Sequence, residues 1–301
     1  MQRKSNKTNC IPGSLKYTIN DFNTEFPNDD ACLTFVCESR WHDGRTMCEK
    51  CGVERKHYRV TGRTAYACDH CGNHIYPLAG TIFEKSTTSL RTWFYAMYLM
   101  SSTRCGVSAK QIQRETGVTY KTAWRMFKQI RTLMSEDVSL EGAAVEMDES
   151  YFGGRPGRAA GPACEKGIVI GAVERGGKVV ALVSSDVTKA TLHGIAKEYV
   201  LPESIVYTDH YPAYMGLDKI NGYQHRRINH TAGIYVMGDV HTNTIEGFWS
   251  LVKRGIGGVY HSVSKKFLQT YLDEYSFRYN RRNSGQPMFI SLLEQVSQKA
   301  E

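Results

Sequence analysis

No apolar run in this chain approaches the roughly 20 residues that a membrane-spanning helix needs, so no integral membrane protein is expected. The opening Met1-Gln2-Arg3-Lys4-Ser5-Asn6 leads into polar sequence without an apolar stretch behind it, which argues against a secretory leader. Internal repeats and low-complexity tracts are missing too, which removes solenoids, propellers and biased disordered arrays. Acidic residues are outnumbered: 30 Asp and Glu stand against 38 Lys and Arg, for a formal net charge of +8. That balance favours a polyanionic partner, although charge alone discriminates poorly. What remains is ordinary for a soluble globular protein, with 41% hydrophobic and 23% charged residues. The 301 residues suffice for one large domain with one or two small ones.

Cysteine is not scarce. Four of the nine fall in two C-x-x-C pairs, Cys48/Cys51 and Cys68/Cys71, each followed by glycine, Gly52 and Gly72. With no export signal, a reduced cytosolic protein with a metal site fits better than a disulfide framework. The glycine lets the backbone turn sharply, so that both thiolates of a pair face one ion. Two such pairs supply the four soft ligands a structural Zn²⁺ takes, whereas a lone pair would leave a redox dithiol open. A closed four-thiolate site has no position for substrate, so this metal organises the fold. Cys10, Cys32, Cys37, Cys105 and Cys164 show no ligand spacing and read as free thiols. His57, His70 and His74 lie close by but are not needed to complete the site.

Five segments separate. Residues 1–40 are mixed, with a helix expected over 28–39, and residues 41–85 form the ribbon, with short strands near 57–61 and 64–68. Residues 86–136 read as three helices and residues 141–283 alternate strands and helices. Residues 284–301 carry a terminal helix from about 287 to 298. The glycine-rich run from Gly153 to Pro162 is the clearest loop.

The three helices are expected over 89–100, over 109–116 between Ser108 and the stop at Gly117, and from Thr119 to about 134. On the third, Ala123, Phe127, Ile130 and Met134 form the apolar stripe, and Lys121, Arg125, Lys128 and Arg131 share the opposite face. A short helix, a glycine-bearing turn and a second helix with a basic outer face is the helix-turn-helix geometry that enters a DNA major groove. A helical hairpin with a solvated cationic face is the plainer alternative, and the adjoining ribbon favours DNA.

From residue 143 a strand ends in Asp148, a hairpin follows over 167–173 and 178–183, and a helix over 189–200. A strand over 204–209 ends in Asp209, another lies near 223–228, and a helix from about Asn243 carries Glu246. That order is the α/β ribonuclease-H-like arrangement, with two acids on neighbouring strands and a third on a helix. Cutting and rejoining phosphodiesters needs an activated oxygen, an in-line leaving oxygen and neutralised phosphoryl charge. Two Mg²⁺ (or Mn²⁺) ions held by carboxylates supply all three. Any one of these acids alone would read as a solvated surface residue. Glu149 is set aside because it should face the other side of the strand, and Asp186 and Asp239 because they sit in turns. Asn243, Glu246, Ser250 and Lys253 share one helical face, so a metal ligand and an ammonium for a DNA phosphate lie together, with Arg254 flanking.

At these residues the chain resembles bacterial insertion-sequence transposases with a zinc ribbon and a DDE catalytic domain, the group related to the eukaryotic Merlin elements. The matching runs are the two C-x-x-C-G knuckles, Gly80-Thr81-Ile82-Phe83-Glu84, Met147-Asp148-Glu149-Ser150-Tyr151-Phe152-Gly153-Gly154 and Thr208-Asp209-x-Tyr211-x-x-Tyr214. The densest is His241-Thr242-Asn243-x-Ile245-Glu246-Gly247-Phe248-Trp249-Ser250-x-x-Lys253-Arg254. The resemblance implies that Asp148, Asp209 and Glu246 are the metal-binding triad and Lys253 its basic follower. Some relatives carry Asn in place of the third acid, which makes Asn243 the alternative. It also implies double-stranded DNA partners, namely transposon ends and target, a homodimer or higher oligomer on DNA, and a nucleoid-associated location. A regulator that has lost catalysis and a nuclease that cuts without joining are the rivals; an intact triad speaks against the first.

Overall fold

The computed structural model describes residues 16–103, 105–153, 166–228 and 241–298. The expected glycine-rich loop from Gly154 on, Cys10, Cys164 and Asp239 lie outside the described residues. The chain forms two compact units: Met1–Ser102 with Ile112–Thr122 and Asn283–Glu301, and Thr103–Gln111 with Ala123–Arg282.

The first unit opens with a helix that the apolar pattern does not announce, α1 (Ile19–Glu25). Its start is chemical rather than periodic. Thr18 Oγ1 accepts from the Asp21 amide while Asp21 accepts from the Thr18 amide, a reciprocal capping box. Helix α2 (Asp29–Arg40) begins where expected, its first turn capped by Asn28, whose side chain accepts from the Ala31 amide at 2.9 Å. Strands β1 (Arg45–Cys48), β2 (Val53–Arg59), β3 (Tyr66–Cys68) and β4 (His74–Ile75) make an antiparallel four-stranded ribbon in sequence order.

Helix α3 (Leu90–Ser102) and the last helix, α9 (Met288–Gln298), complete this unit's core. Phe289 from α9 meets Phe22 at 5.8 Å and Phe26 at 6.0 Å between ring centroids, and Phe26 meets Phe94 at 5.0 Å. The last segment of the sequence therefore folds back to bury its apolar side in an aromatic cluster with the first. Such rings contribute about 0.5–1.5 kcal/mol per pair beyond the area they bury.

Helices α4 (Ala109–Thr116) and α5 (Tyr120–Leu133) have the ends that the sequence gives them. Ser108 Oγ accepts from the Gln111 amide, Gly117 stops α4 at φ +72°, and Thr119 Oγ1 accepts from the Thr122 amide.

The second unit is a five-stranded sheet in the order β7-β6-β5-β8-β9. Strands β5 (Ala144–Phe152), β6 (Gly167–Glu174) and β7 (Val179–Ser184) are antiparallel neighbours, and β8 (Ile205–Thr208) and β9 (Gln224–Arg227) run parallel to β5. Alternate side chains feed two cores. Met147 and Ile170 pack with Leu192 and Ala196 of α6 (Lys189–Tyr199) on one face. Val169 and Val173 pack on the other with Ile245 and Trp249 of α7 (Asn243–Gly255) and Leu272 and Tyr275 of α8 (Lys265–Asn280).

Helix α8 is the second element that sequence reading passed over, because its apolar residues are interspersed with Gln, Asp, Glu and Arg. Those polar residues are partnered. Gln269 exchanges hydrogen bonds with the Val183 amide and Ala181 carbonyl, and Asn280 does the same with Val179. The free edge of β7 is thereby satisfied by side-chain amides.

Arg131 departs from expectation. The helical pattern puts it on the exposed basic face of α5 with Lys121, Arg125 and Lys128, but it is only 1% exposed. Its guanidinium lies 3.7 Å from the Phe127 centroid and 3.4 Å from that of Tyr271, and its Nε donates to Glu274 Oε2 at 2.7 Å. Glu274, fully buried, is also paired with Arg278 and accepts from the Tyr260 hydroxyl at 3.2 Å. The periodicity of α5 places Arg131 on the rim of the apolar stripe, and a buried acid in α8, 143 residues along the chain, draws it inward. Lys121, Arg125 and Lys128 remain exposed.

Against burial, the two arginines hold the Glu274 carboxyl below its ordinary pKa. Glu274→Gln should destabilise this unit by about 3–5 kcal/mol, as removal of one partner from a buried ion pair does. A carboxyl with a depressed native pKa contributes stability above its unfolded pKa and loses it as pH falls through the native one. Chemical denaturation across the acid range should therefore show a shallower pH slope for the variant than for the wild type. A wild-type midpoint for Glu274→Gln would remove the triad from the stability account.

Candidate metal centre and carboxylate site

In the ribbon both cysteine pairs sit at hairpin ends with the same local geometry. The Gly52 amide donates to the Cys48 carbonyl and the Gly72 amide to the Cys68 carbonyl, with φ of +68° and +70° at the glycines. No neighbouring atom would meet a Cβ at either position, so it is the left-handed backbone that calls for glycine here. The β2–β3 pairing, with His57 opposite Cys68, brings the second knuckle beside the first. Sulfur separations are 3.5 Å for Cys48–Cys71 and 3.9 Å for Cys51–Cys68, and all four ligand atoms lie within 4.8 Å of one another. Tetrahedral zinc with Zn–S of about 2.3 Å separates its sulfurs by about 3.8 Å, so the donor set fits the ion in size and in chemistry. Cys32 and Cys37 are buried away from this cluster, and Cys105 is exposed.

In the sheet unit, β5 runs on past Asp148 to Phe152 rather than ending at the acid. Its pairing with β8 stops at Glu146 opposite Tyr207, so Asp148 stands where β5 has outrun its parallel neighbour. Asp209 follows the last residue of β8, and its Oδ1 accepts from the Tyr211 amide at 2.9 Å in a tight turn. The carboxyl ends of adjacent parallel strands are where open α/β sheets place ligands.

Asp148 lies opposite Gly171 of β6 and accepts from Trp249 Nε1 of α7 at 3.0 Å. A Cβ at Gly171 would come within 2.5 Å of the Trp249 ring, so this glycine admits the indole that orients the acid. Burial, then the charges of Glu149 and Asp209, push the Asp148 carboxyl up to about 7, against the Trp249 bond.

Glu149 faces the other side of β5, as alternation predicts, and its charge still acts on Asp148. Its carboxyl is raised by burial and by Asp209, and it accepts from the fully buried Tyr214 hydroxyl at 3.0 Å. Tyr214 feels burial first, then Glu149, Asp148 and Asp209, and its pKa is held far above the usual phenol value.

Glu246 is exposed in the first turn of α7, where Thr242 Oγ1 donates to it at 3.0 Å. Lys253 and Arg254 are exposed farther along the helix, with Lys253 Nζ 5.9 Å from the Phe152 ring centroid. Among the described residues the four cysteines are the only group of three or more metal-capable side chains gathered within 4.8 Å. Asp148 and Asp209 are therefore brought into electrostatic contact together with Glu149, while Glu246 stands on the adjacent helix. A half-buried carboxylate raised by two like charges is the situation that a divalent cation among hard oxygen donors relieves. Sequence reading missed Trp249, Tyr214 and Glu146 as members of the surroundings; the two aromatics stand inside the quoted motifs.

Residues 139–280 match the family model described as an ISXO2-like transposase domain, and residues 27–74 match a transposase zinc-ribbon domain. An uncharacterized protein in transposable element ISH50 of Halobacterium salinarum is 30% identical over 292 residues, covering 89% of this chain and 97% of that one. An uncharacterized transposase-like protein of Haemophilus influenzae is 36% identical over 119 residues, 40% of this chain and 93% of its own length. A solved pre-cleavage Mos1 transpososome aligns over 64% of this chain and 74% of its own, at 11% identity and a TM-score of 0.28, too distant to carry an argument. Among the described residues no helix is long and apolar enough to cross a membrane.

Proposed function

Since the chain belongs to the insertion-sequence transposases that join a zinc ribbon to an ISXO2-like transposase domain, we propose that it mobilises its own element. In this reading it binds the terminal inverted repeats, hydrolyses a phosphodiester at each end, and joins the freed 3′-hydroxyls to target DNA. The observation that carries it is that Asp148, where β5 outruns its parallel neighbour, and Asp209, just past the end of β8, lie close enough for their charges to act on each other. The strand order supports a ribonuclease-H-like catalytic domain: three antiparallel strands, a helix, then two parallel strands on the other side of the first. Domain limits near 41–85 for the ribbon, 86–136 for a helix-turn-helix and 141–283 for catalysis fit the element order.

Asp148, Asp209 and Glu246 would hold two Mg²⁺ or Mn²⁺ ions, which when bound activate the attacking oxygen and offset charge on the phosphoryl group. The protein's own groups do the rest. Trp249 fixes the rotamer of Asp148, the Tyr211 amide that of Asp209 and the Thr242 hydroxyl that of Glu246. Lys253 offers an ammonium to a DNA phosphate two turns from Glu246, with Arg254 beside it. In the first step the oxygen of water bonds to phosphorus and the 3′ oxygen leaves as a hydroxyl. In the second, that hydroxyl bonds to a target phosphorus and displaces the target's own 3′ oxygen.

Incubating the full chain with transposon-end DNA and Mg²⁺, and following both nicking and strand transfer, tests the function directly. Products cut but never joined would leave a nuclease instead. For end binding, α4 and α5 fit a helix-turn-helix whose groove-facing side carries Lys121, Arg125 and Lys128. Replacing the three with Ala should weaken end-DNA binding, and each lost phosphate contact should flatten the log–log salt slope by about 0.9. Loss of a base contact would relax sequence preference instead. A triple variant with the wild-type salt slope and affinity would take α5 out of the interface.

A further inference from the structure

Glu146 lies on β5 two residues before Asp148 and is fully buried, yet neither the sequence pattern nor the catalytic chemistry accounts for it. A buried carboxylate is costly unless its oxygens are saturated. Here they are. Glu146 accepts from the Thr244 amide at 2.8 Å, the Thr244 hydroxyl at 2.9 Å and the Ile245 amide at 3.1 Å. Arg175 Nε donates to it at 2.8 Å, and His241 Nδ1 stands 3.2 Å away.

The two amides belong to the first turn of α7, which has no side-chain cap of its own. Its N-cap residue, Thr242, uses its hydroxyl on Glu246 instead. The strand therefore provides the cap that the helix lacks, with its negative charge at the positive end of the helix dipole. Arg175 ties the cap to its surroundings: its Nη2 donates to the His241 carbonyl at 2.8 Å, and its guanidinium lies 3.8 Å from the Tyr207 centroid on β8.

Residues 146 and 148 point to the same face of β5 and are about 6.7 Å apart along a strand. Ile245 and Trp249 are about 6 Å apart along a helix. The contacts Glu146–Ile245 and Asp148–Trp249 thus clamp strand and helix at two matched points. One contact would leave α7 free to slide or roll, whereas two fix both. Glu246 lies between the helix's two anchors.

We propose that Glu146, bridged by Arg175, is a positioning residue that sets the height and rotation of α7 so that Glu246 faces Asp148 and Asp209. This rests on the reading of Glu246 as the third acid. The test uses the zinc-loaded full chain and three measurements: hydrogen exchange over residues 242–249, Mn²⁺ binding by paramagnetic resonance, and end cleavage against Mn²⁺ concentration. Glu146→Gln should speed exchange in the first turn of α7 but not in β6. It should weaken Mn²⁺ binding by about 10–100-fold, the usual effect of losing a group that orients a ligand. Cleavage should fall in step and recover partly at high Mn²⁺. In a Glu246→Gln background the same substitution should no longer change Mn²⁺ affinity, because the ligand it orients is gone.

Wild-type exchange and Mn²⁺ affinity in Glu146→Gln would overturn the proposal, as would an equal affinity loss with and without Glu246. Should Glu146→Gln not fold, Arg175→Met keeps the carboxylate and must show the same shifts in smaller measure. A wild-type chain that binds Mn²⁺ but never cuts end DNA would instead defeat the functional reading and leave the positioning claim standing on exchange and binding.

Discussion

Asp148→Asn, Asp209→Asn and Glu246→Gln are each expected to abolish end cleavage and joining while end-DNA binding stays nearly intact. Each substitution preserves size and removes one charge, so the fold has little reason to respond. The loss should exceed the roughly 10–100-fold that follows removal of an outer partner of a metal ligand, because the ligand itself is gone. Asp148 has most to lose. Its ionised form is opposed by burial and by Glu149 and Asp209, a balance that a bound cation would reverse. Lys253→Ala should cost less, since it disturbs the seating of a phosphate rather than the metal. Glu149→Gln is the informative control. Its partner is the Tyr214 hydroxyl, so loss of charge there should perturb activity less than loss at Asp148. Cleavage and gel shift on the same end DNA, with Mg²⁺ supplied, decide the matter. A Glu246→Gln protein that cuts at the wild-type rate would move the third ligand, first to Glu149 and then to Asn243.

Much of the fold was legible because its elements obey short-range rules. Cap residues Asn28, Ser108 and Thr119 start their helices where the sequence places them, and two short apolar runs joined through Gly176-Gly177 mark the β6–β7 hairpin. The four ribbon cysteines were legible because metal ligation imposes a spacing. Helices α1 and α8 were not, since one depends on a capping box in a polar stretch and the other pairs its polar residues across space. The misplacing of Arg131 has the same origin. Helical periodicity shows that it adjoins the stripe of Phe127 and Ile130, but nothing local reveals Glu274, 143 residues away. Strand alternation places Glu149 on the face opposite Asp148, and there it lies, against Tyr214 rather than Trp249. What alternation does not show is that like charges on opposite faces of one strand still act on each other. Glu146 shows the general limit: a strand acid capping a helix almost 100 residues later leaves no periodic trace.

Removing zinc should unfold the ribbon while leaving the sheet unit folded. Between residues 42 and 75 the buried side chains are few: Cys48, His57, Ala65, Tyr66 and Cys68. Two of these are ligands of the metal cluster, and the larger apolar residues Met47, Val53 and Tyr58 are exposed. A segment with so little core has only a small apolar source for its stability, and structural zinc contributes about 10–16 kcal/mol of apparent binding energy in comparable small sites. Protein purified without chelator should hold about one zinc per chain by elemental analysis, the count that one four-thiolate site implies. Chelation, or Cys48→Ser with Cys68→Ser, should expose the amides of β1 to β3 to rapid exchange while β5 and β6 keep their protection. Because zinc binds thiolates, metal loss should grow easier as pH falls. End-DNA binding should go with the ribbon if that unit contributes to the interface, and cleavage should follow it. A zinc-free chain whose β1–β3 amides remain protected would sink the assignment, since those strands would then owe their order to something other than the four sulfurs.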